Sequence, residues 1–145
     1  MAEHIYEKES LIQKFDNILN KTFEEIDNIG MFEHVRQEDF KLQKGIAGTI
    51  IERCVLGYEP DTKQEADLVV IDNGMRIDTE LKVTGMRISG KEGNHFVAKE
   101  PMSITAVGVY DLAEQTFYNS HFWNKLEHML IVYYHYLSDS AVKPY

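Results

Sequence analysis

The strongest constraint in this chain is a hairpin signal between residues 66 and 84. Leu68-Val69-Val70-Ile71 leads into Asp72-Asn73-Gly74, and a second β-prone run continues through Arg76 to Thr84. Asn-Gly is the favoured centre of a two-residue type I′ turn, because both positions need a positive φ. A two-residue loop at Asn73 and Gly74 sets Asp72 opposite Met75. The same register carried back along the strands sets Asp67 opposite Glu80. Side chains alternate along a strand, so Leu68, Val70, Ile77, Leu81 and Val83 make one apolar face, and Asp67, Glu80 and Lys82 share the other. A slip of one residue would invert both faces, which is why the turn constrains so much.

Opposed carboxylates in a sheet have β-carbons roughly 5 Å apart and repel unless a cation lies between them. A hard divalent ion suits the position. Mg2+ takes oxygen ligands, accepts one or two carboxylates and keeps several waters, leaving room for a phosphate oxygen and an attacking water. Lys82, two residues along on the same face, can orient that water or stabilise charge on the transition state. Asp78 also lies on the polar face, opposite Val69, and is a second candidate for the partner of Glu80. The competing explanation is a merely solvated strand face, which is the usual meaning of an isolated Glu-x-Lys.

The flanking sequence predicts a mixed α/β domain. Leu11, Ile12, Phe15, Ile18 and Leu19 recur at helical spacing between Glu7 and Asn20, with Ser10 and Gln13 placed as a capping box. Thr22 and Glu25 repeat that pattern before a short helix ending by Gly30, and residues 31–43 read as loop. Over Lys44 to Leu56 a helical wheel puts Ile46, Ala47, Ile50, Ile51 and Cys54 on one face. Gly45, Gly48 and Glu52 fall nearly opposite, where two glycines leave room for a ligand or backbone beside a carboxylate that is otherwise an ordinary solvated glutamate. Ser103 to Val109 reads as a strand, Ser120 as the cap of a helix through Trp123 and Leu126, and Met129 to Leu137 as a buried strand. His121, His128 and His135 recur at sevens but span a helix and a strand, so no metal role follows. Tyr133, Tyr134 and Tyr136 read as sheet packing rather than base-stacking groups.

At 145 residues and 43% hydrophobic the chain is sized for one compact domain. No apolar stretch reaches the roughly 20 residues of a membrane span, and the acidic start lacks the features of a signal peptide. A lone Cys54 excludes an internal disulfide, and the reading is a cytoplasmic protein without a membrane partner. The net charge of −9 opposes a role in gripping nucleic acid, which calls for a basic footprint.

Asp67 followed by Glu80-Leu81-Lys82 resembles the D...ExK core of the PD-(D/E)XK nucleases. Lys44-Gly45-Ile46-Ala47-Gly48-Thr49-Ile50-Ile51-Glu52, then Leu56-Gly57, then Glu80-Leu81-Lys82-Val83-Thr84 is similar to the MutH family, which includes the mismatch-repair nicking endonuclease and Sau-type restriction endonucleases acting at GATC. The likeness extends from Leu19-Asn20-Lys21-Thr22-Phe23-Glu24-Glu25 to Ser120-His121-Phe122-Trp123-Asn124-Lys125-Leu126, about residues 15 to 137 in all. It implies a restriction-endonuclease-like α/β core, a mixed β-sheet with flanking helices. It implies Asp67 and Glu80 as metal ligands with the Leu81 carbonyl as a third, Lys82 as the motif lysine, Glu52 as an acidic residue near the metals, and Lys125 as a lysine near the scissile phosphate. Without the resemblance, Lys125 would read as a surface lysine.

The implied reaction is Mg2+-dependent hydrolysis of double-stranded DNA, with Mn2+ as a substitute, giving a 5′-phosphate and a 3′-hydroxyl. The implied setting is type II restriction-modification or mismatch-repair nicking at GATC. Ala66 stands where the family has proline, and the gap from Asp67 to Glu80 is longer than in the mismatch-repair member. Family members continue well beyond the last strand, so residues 1–145 read as a single catalytic nuclease domain truncated on its C-terminal side, with the remainder of the polypeptide as a partner in DNA recognition. The alternatives are a non-catalytic DNA-binding or regulatory module of the same fold and a bland interaction domain.

Overall fold

The computed structural model describes residues 4–31, 43–60, 66–89, 95–104 and 114–135. β1 (Ile5–Glu7) runs directly into helix α1 (Lys8–Asp16), and the short helix α2 (Phe23–Ile26) follows. Helix α3 is α-helical over Gln43–Ile50 and continues as a π-helix over Ile51–Leu56. Then come β2 (Leu68–Asp72), β3 (Met75–Ser89), β4 (His95–Ala98), a 3-10 turn (Phe117–Asn119), α4 (His121–Leu126) and β5 (Met129–His135). The result is a mixed five-stranded sheet with flanking helices. No helix among the described residues is long and apolar enough to cross a membrane.

The hairpin has the register its turn demands. Asp72 pairs with Met75 and Leu68 with Thr79, and Asn73 and Gly74 carry φ of 51° and 78°. β3 is 15 residues long and changes partners along its length. One edge pairs in parallel with β5 from Glu80↔Met129 to Met86↔His135. The other pairs antiparallel with β2 up to Thr79 and with β4 from Met86 onward, a hydrogen bond from Lys99 N–H to the Gly85 carbonyl closing the second ladder. Among the described residues, no strand occupies this second edge between Glu80 and Thr84. The sheet therefore forks, and the fork opens where the acidic motif lies.

The core forms where α3 packs on the sheet. Ile46, Ala47, Ile50, Ile51, Val55 and Leu56 are buried with Leu11, Phe23, Tyr58, Leu68 and Leu81. Burying such side chains contributes about 1.5–3 kcal/mol each. The π-helical turn corrects the expected face. Its extra residue changes the core spacing from four (Ile46 to Ile50) to five (Ile50 to Val55), so Val55 takes the buried place expected of Cys54, which is half-buried. Gly57, at φ 85°, ends the helix by donating to the Glu52 carbonyl at 2.7 Å.

Other expectations shift. α1 begins at Lys8 with Glu7 as its N-cap and no side-chain cap, so the Ser10–Gln13 capping box does not form. Parallel pairing of Ile5–Glu7 with Val69–Ile71 fixes the chain first and starts the helix earlier, with Lys8 bonded to Asp72 at 2.6 Å. α1 also ends at Asp16 rather than Asn20; successive turns lead to Asn20 at φ 63°, and Ile12 and Leu19 are exposed. The Thr22–Glu25 capping box is formed. Met129–His135 is a strand as expected, but it is half-buried rather than buried, and Tyr133 is exposed. Ser103 and Ile104 are not in a strand, while 105–109, Tyr136, Leu137 and most of the expected 31–43 loop lie outside the described residues.

Tyr134 packs as sheet. Its ring lies over its cross-strand partner Gly85, where an added Cβ would sit 3.0 Å from the ring, and its edge meets Phe23 at a 5.2 Å centroid distance. Gly85→Val is therefore expected to push this ring off the strand and destabilise the fold by about 1–3 kcal/mol, read as a lower midpoint in denaturant titration.

Candidate active site

A small cleft of about 230 Å³ lies at the fork, lined by Gly45, Gly48, Glu52, Asp67, Glu80, Leu81, Lys82 and Val83. A larger apolar groove of about 1180 Å³, between α1, α2 and β5, includes Val70, Ile77 and Thr79 from the other face of the hairpin. Volume favours the groove. Chemistry favours the cleft, because all its ionisable groups converge and the groove walls are mostly apolar.

Each functional side chain reaches the cleft for a local reason. Glu80, Leu81 and Lys82 sit on β3 just past the end of β2. Asp67 precedes β2, and one more step in the register beyond Leu68↔Thr79 would set it opposite Glu80. With no ladder there, its carboxylate takes the place of a strand and accepts a hydrogen bond from Leu81 N–H at 2.8 Å. The N–H and C=O of a strand residue leave by the same edge, so the Leu81 carbonyl is directed to the side from which Asp67 approaches. Val83 lines the cleft by the same geometry; sequence reasoning missed it, since no local signal reports where β3 changes partners. Glu52 comes from the first π-helical turn of α3, on the face shared with Gly45 and Gly48. A Cβ at Gly48 would lie 3.9 Å from Glu52 Oε1, and one at Gly45 would meet nothing within 4 Å.

Glu80 is buried, at 6% exposure, and holds two lysines. Lys82 Nζ is 3.0 Å from Oε1 and Lys125 Nζ 2.6 Å from Oε2. Lys125 arrives on α4, whose first turn is fixed by Ser120. That buried hydroxyl accepts from Trp123 N–H at 3.1 Å and donates to the Phe117 carbonyl. The structure thus brings together all five side chains singled out in the sequence, Glu52, Asp67, Glu80, Lys82 and Lys125. Asp78 stands apart: exposed, paired with Arg76 at 3.4 Å and not part of the cleft lining. His121 lies on α4 and His135 ends β5, a helix and a strand as expected from the sequence.

The donor set suits a hard cation. Three carboxylates and a strand-edge carbonyl supply only oxygen, the ligand type that a hard cation takes. Among the described residues, no three carboxylate, imidazole or thiol groups form a preformed cage. Mg2+, which keeps several waters, does not require one.

Burial pushes the Asp67 carboxyl above its usual range. The Leu81 hydrogen bond opposes this, the neighbouring Glu80 reinforces it, and Lys125 and Lys82 oppose it. A carboxyl raised in the folded state contributes stability below its unfolded pKa of about 3.9, and that contribution is lost as pH rises through the folded value. Asp67 is accordingly a cost at neutral pH without a divalent ion. Asp67→Asn, which keeps an acceptor for Leu81 N–H, is expected to raise Tm at pH 7 in chelator, with the advantage gone below about pH 4; an unchanged or lower Tm at pH 7 contradicts this.

Comparison with known proteins gives one family. No curated protein and no solved structure matches the chain significantly, but the model of the family described as DNA mismatch repair enzyme MutH matches residues 56–145. The match includes Asp67, Glu80, Leu81, Lys82 and Lys125, and it begins after Glu52 and the glycine-containing helix segment. With most of its length matched and a mixed sheet flanked by helices around the acidic hairpin, the chain belongs to the MutH family and has its restriction-endonuclease-like fold.

Proposed function

We propose that this chain carries the catalytic site of a sequence-specific DNA endonuclease that hydrolyses phosphodiester bonds with a divalent metal. The observation that supports it best is the convergence at the sheet fork: Asp67 against the open edge of β3, beside a buried Glu80 flanked by Lys82 and Lys125. Asp67 and Glu80 would hold Mg2+ or Mn2+, with the Leu81 carbonyl as a third ligand and Glu52 as a further acidic group. When bound, the ion supplies Lewis acidity to the phosphate and lowers the pKa of water in the cleft.

The protein's own groups do the rest. In hydrolysis, water adds to phosphorus, the bond to O3′ breaks, the 3′-oxygen takes up a proton and the phosphate stays on the 5′ end. Lys82, on the same strand face as Glu80, holds positive charge where the attacking water and the phosphorane-like transition state must lie. Such fixed charge in a partly desolvated cleft is the main stabilising device for phosphoryl transfer. Lys125, held only 12% exposed by α4, supplies a second positive charge on the other oxygen of Glu80. Recognition at GATC, in restriction or in mismatch-repair nicking, rests on the likeness to the MutH and Sau-type enzymes. The alternative of a non-catalytic DNA-binding or regulatory module is opposed by the intact set of Asp67, Glu80 and Lys82, while the net charge of −9 suits an interaction domain that does not grip DNA.

Two measurements separate these readings. Calorimetry is expected to show Mg2+ or Mn2+ binding that Asp67→Ala abolishes; binding indifferent to Asp67 would remove the site as described. Supercoiled plasmid bearing GATC is expected to be nicked or linearised with Mg2+ only slowly and at low ionic strength, leaving 5′-phosphates, and Lys82→Ala to lose about 100-fold or more of that rate. Metal binding without cleavage even at low ionic strength would favour the non-catalytic module.

A further inference from the structure

Glu80 is satisfied by two ammonium groups that differ in kind. Lys82 lies two residues away on the same strand face and is 23% exposed, so its position follows from the pleat of β3. Lys125 comes from another element, 45 residues along the chain, makes the shorter contact of 2.6 Å, and is 12% exposed. A lysine this enclosed, with its charge directed at a carboxylate, is not presented to a ligand entering from solvent. It occupies an oxygen that a divalent ion between Asp67 and Glu80 would also claim.

Resting on the metal-dependent reading above, we propose that Lys125 is the internal counter-ion of the metal-free site: it neutralises Glu80 until a divalent ion displaces it, and only then becomes available to a DNA phosphate. The electrostatics require some such exchange. An uncompensated buried carboxylate is strongly destabilising, so the empty site needs a cation of its own. The same ammonium left in place beside an arriving dication would repel it across a few ångströms of partly desolvated space. The four-carbon stem of lysine, with its rotatable ammonium, allows the charge to move without moving α4. Metal binding and phosphate binding are thereby coupled through one side chain, and the coupling is reciprocal.

The test uses Mn2+ as the probe on wild type, Lys125→Met and Lys125→Arg. Removing the competing charge is expected to tighten Mn2+ binding in Lys125→Met by roughly fivefold or more, with Lys125→Arg close to wild type. Lys125→Met is also expected to melt lower than wild type in chelator and to gain more in Tm on adding Mn2+. Affinity for a cleavage-resistant phosphorothioate duplex, read by fluorescence anisotropy, should fall in Lys125→Met only when Mn2+ is present. Mn2+ binding unchanged or weaker in Lys125→Met overturns the exchange, as does an equal loss of duplex affinity with and without Mn2+. A Lys125→Met protein that stays unfolded even with Mn2+ shows a structural strut and overturns it too. Failure of the wild type itself to bind Mn2+ is a different result, which removes the metal-dependent reading along with this one.

Discussion

The unfilled edge of β3 governs this structure. Among the described residues, this edge is paired at both ends and has no strand partner between Glu80 and Thr84, where backbone groups normally need partners. Asp67 answers part of that need by accepting from Leu81 N–H, and in doing so its carboxylate is fixed beside Glu80. The site is thus a consequence of where β2 stops. Had β2 extended two residues further in the same register, Ala66 would face Leu81 and its carbonyl would take the N–H that the Asp67 carboxylate now holds.

Around this opening the molecule concentrates groups that oppose stability. Asp67 is pushed toward protonation by burial and by Glu80. Glu80 is buried and tolerated because Lys82 and Lys125 neutralise it. α3 departs from regular α-helical geometry in the turn that carries Glu52, the kind of local irregularity that recurs at functional sites. The cost is borne by the packed layer behind it, where Ile50, Ile51 and Leu68 are almost fully buried. The apolar layer and the polar opening share α3 and β3, so the packing of one orients the other, with Asp67 joining from just outside β2.

The acidic balance of the chain and the chemistry of its cleft pull in opposite directions. A net charge of −9 repels a polyanion at long range, while two lysines converge on the buried carboxylate beside the cleft. At the cleft these lysines are paired inward to Glu80. The positive charge is stored rather than displayed, which reconciles a lysine-containing site with an acidic protein.

The hairpin was legible in sequence because everything that fixes it is local: Asn73-Gly74 sets the turn, period two sets the faces, and the register of Asp72 with Met75 and Leu68 with Thr79 follows without knowledge of the rest of the chain. The same holds for the Thr22 cap and for the face of α3 that gathers Gly45, Gly48 and Glu52. β1 was not legible, since Ile5–Glu7 is a strand only because Val69–Ile71 lies beside it, and that pairing cancels the Ser10–Gln13 cap. The π-helical turn that exchanges Cys54 for Val55 in the core was equally hidden, being a response to packing rather than to propensity. Lys125 was visible by resemblance alone, because its meaning depends on an approach to Glu80 across 45 residues of chain. The sequence alone determined which groups share a strand face, because alternation and turn chemistry act between neighbours. Tertiary structure alone decided that β3 changes partners, that the fork leaves Asp67 at an open edge, and that two lysines converge on one buried carboxylate, because those depend on which distant segments pack together.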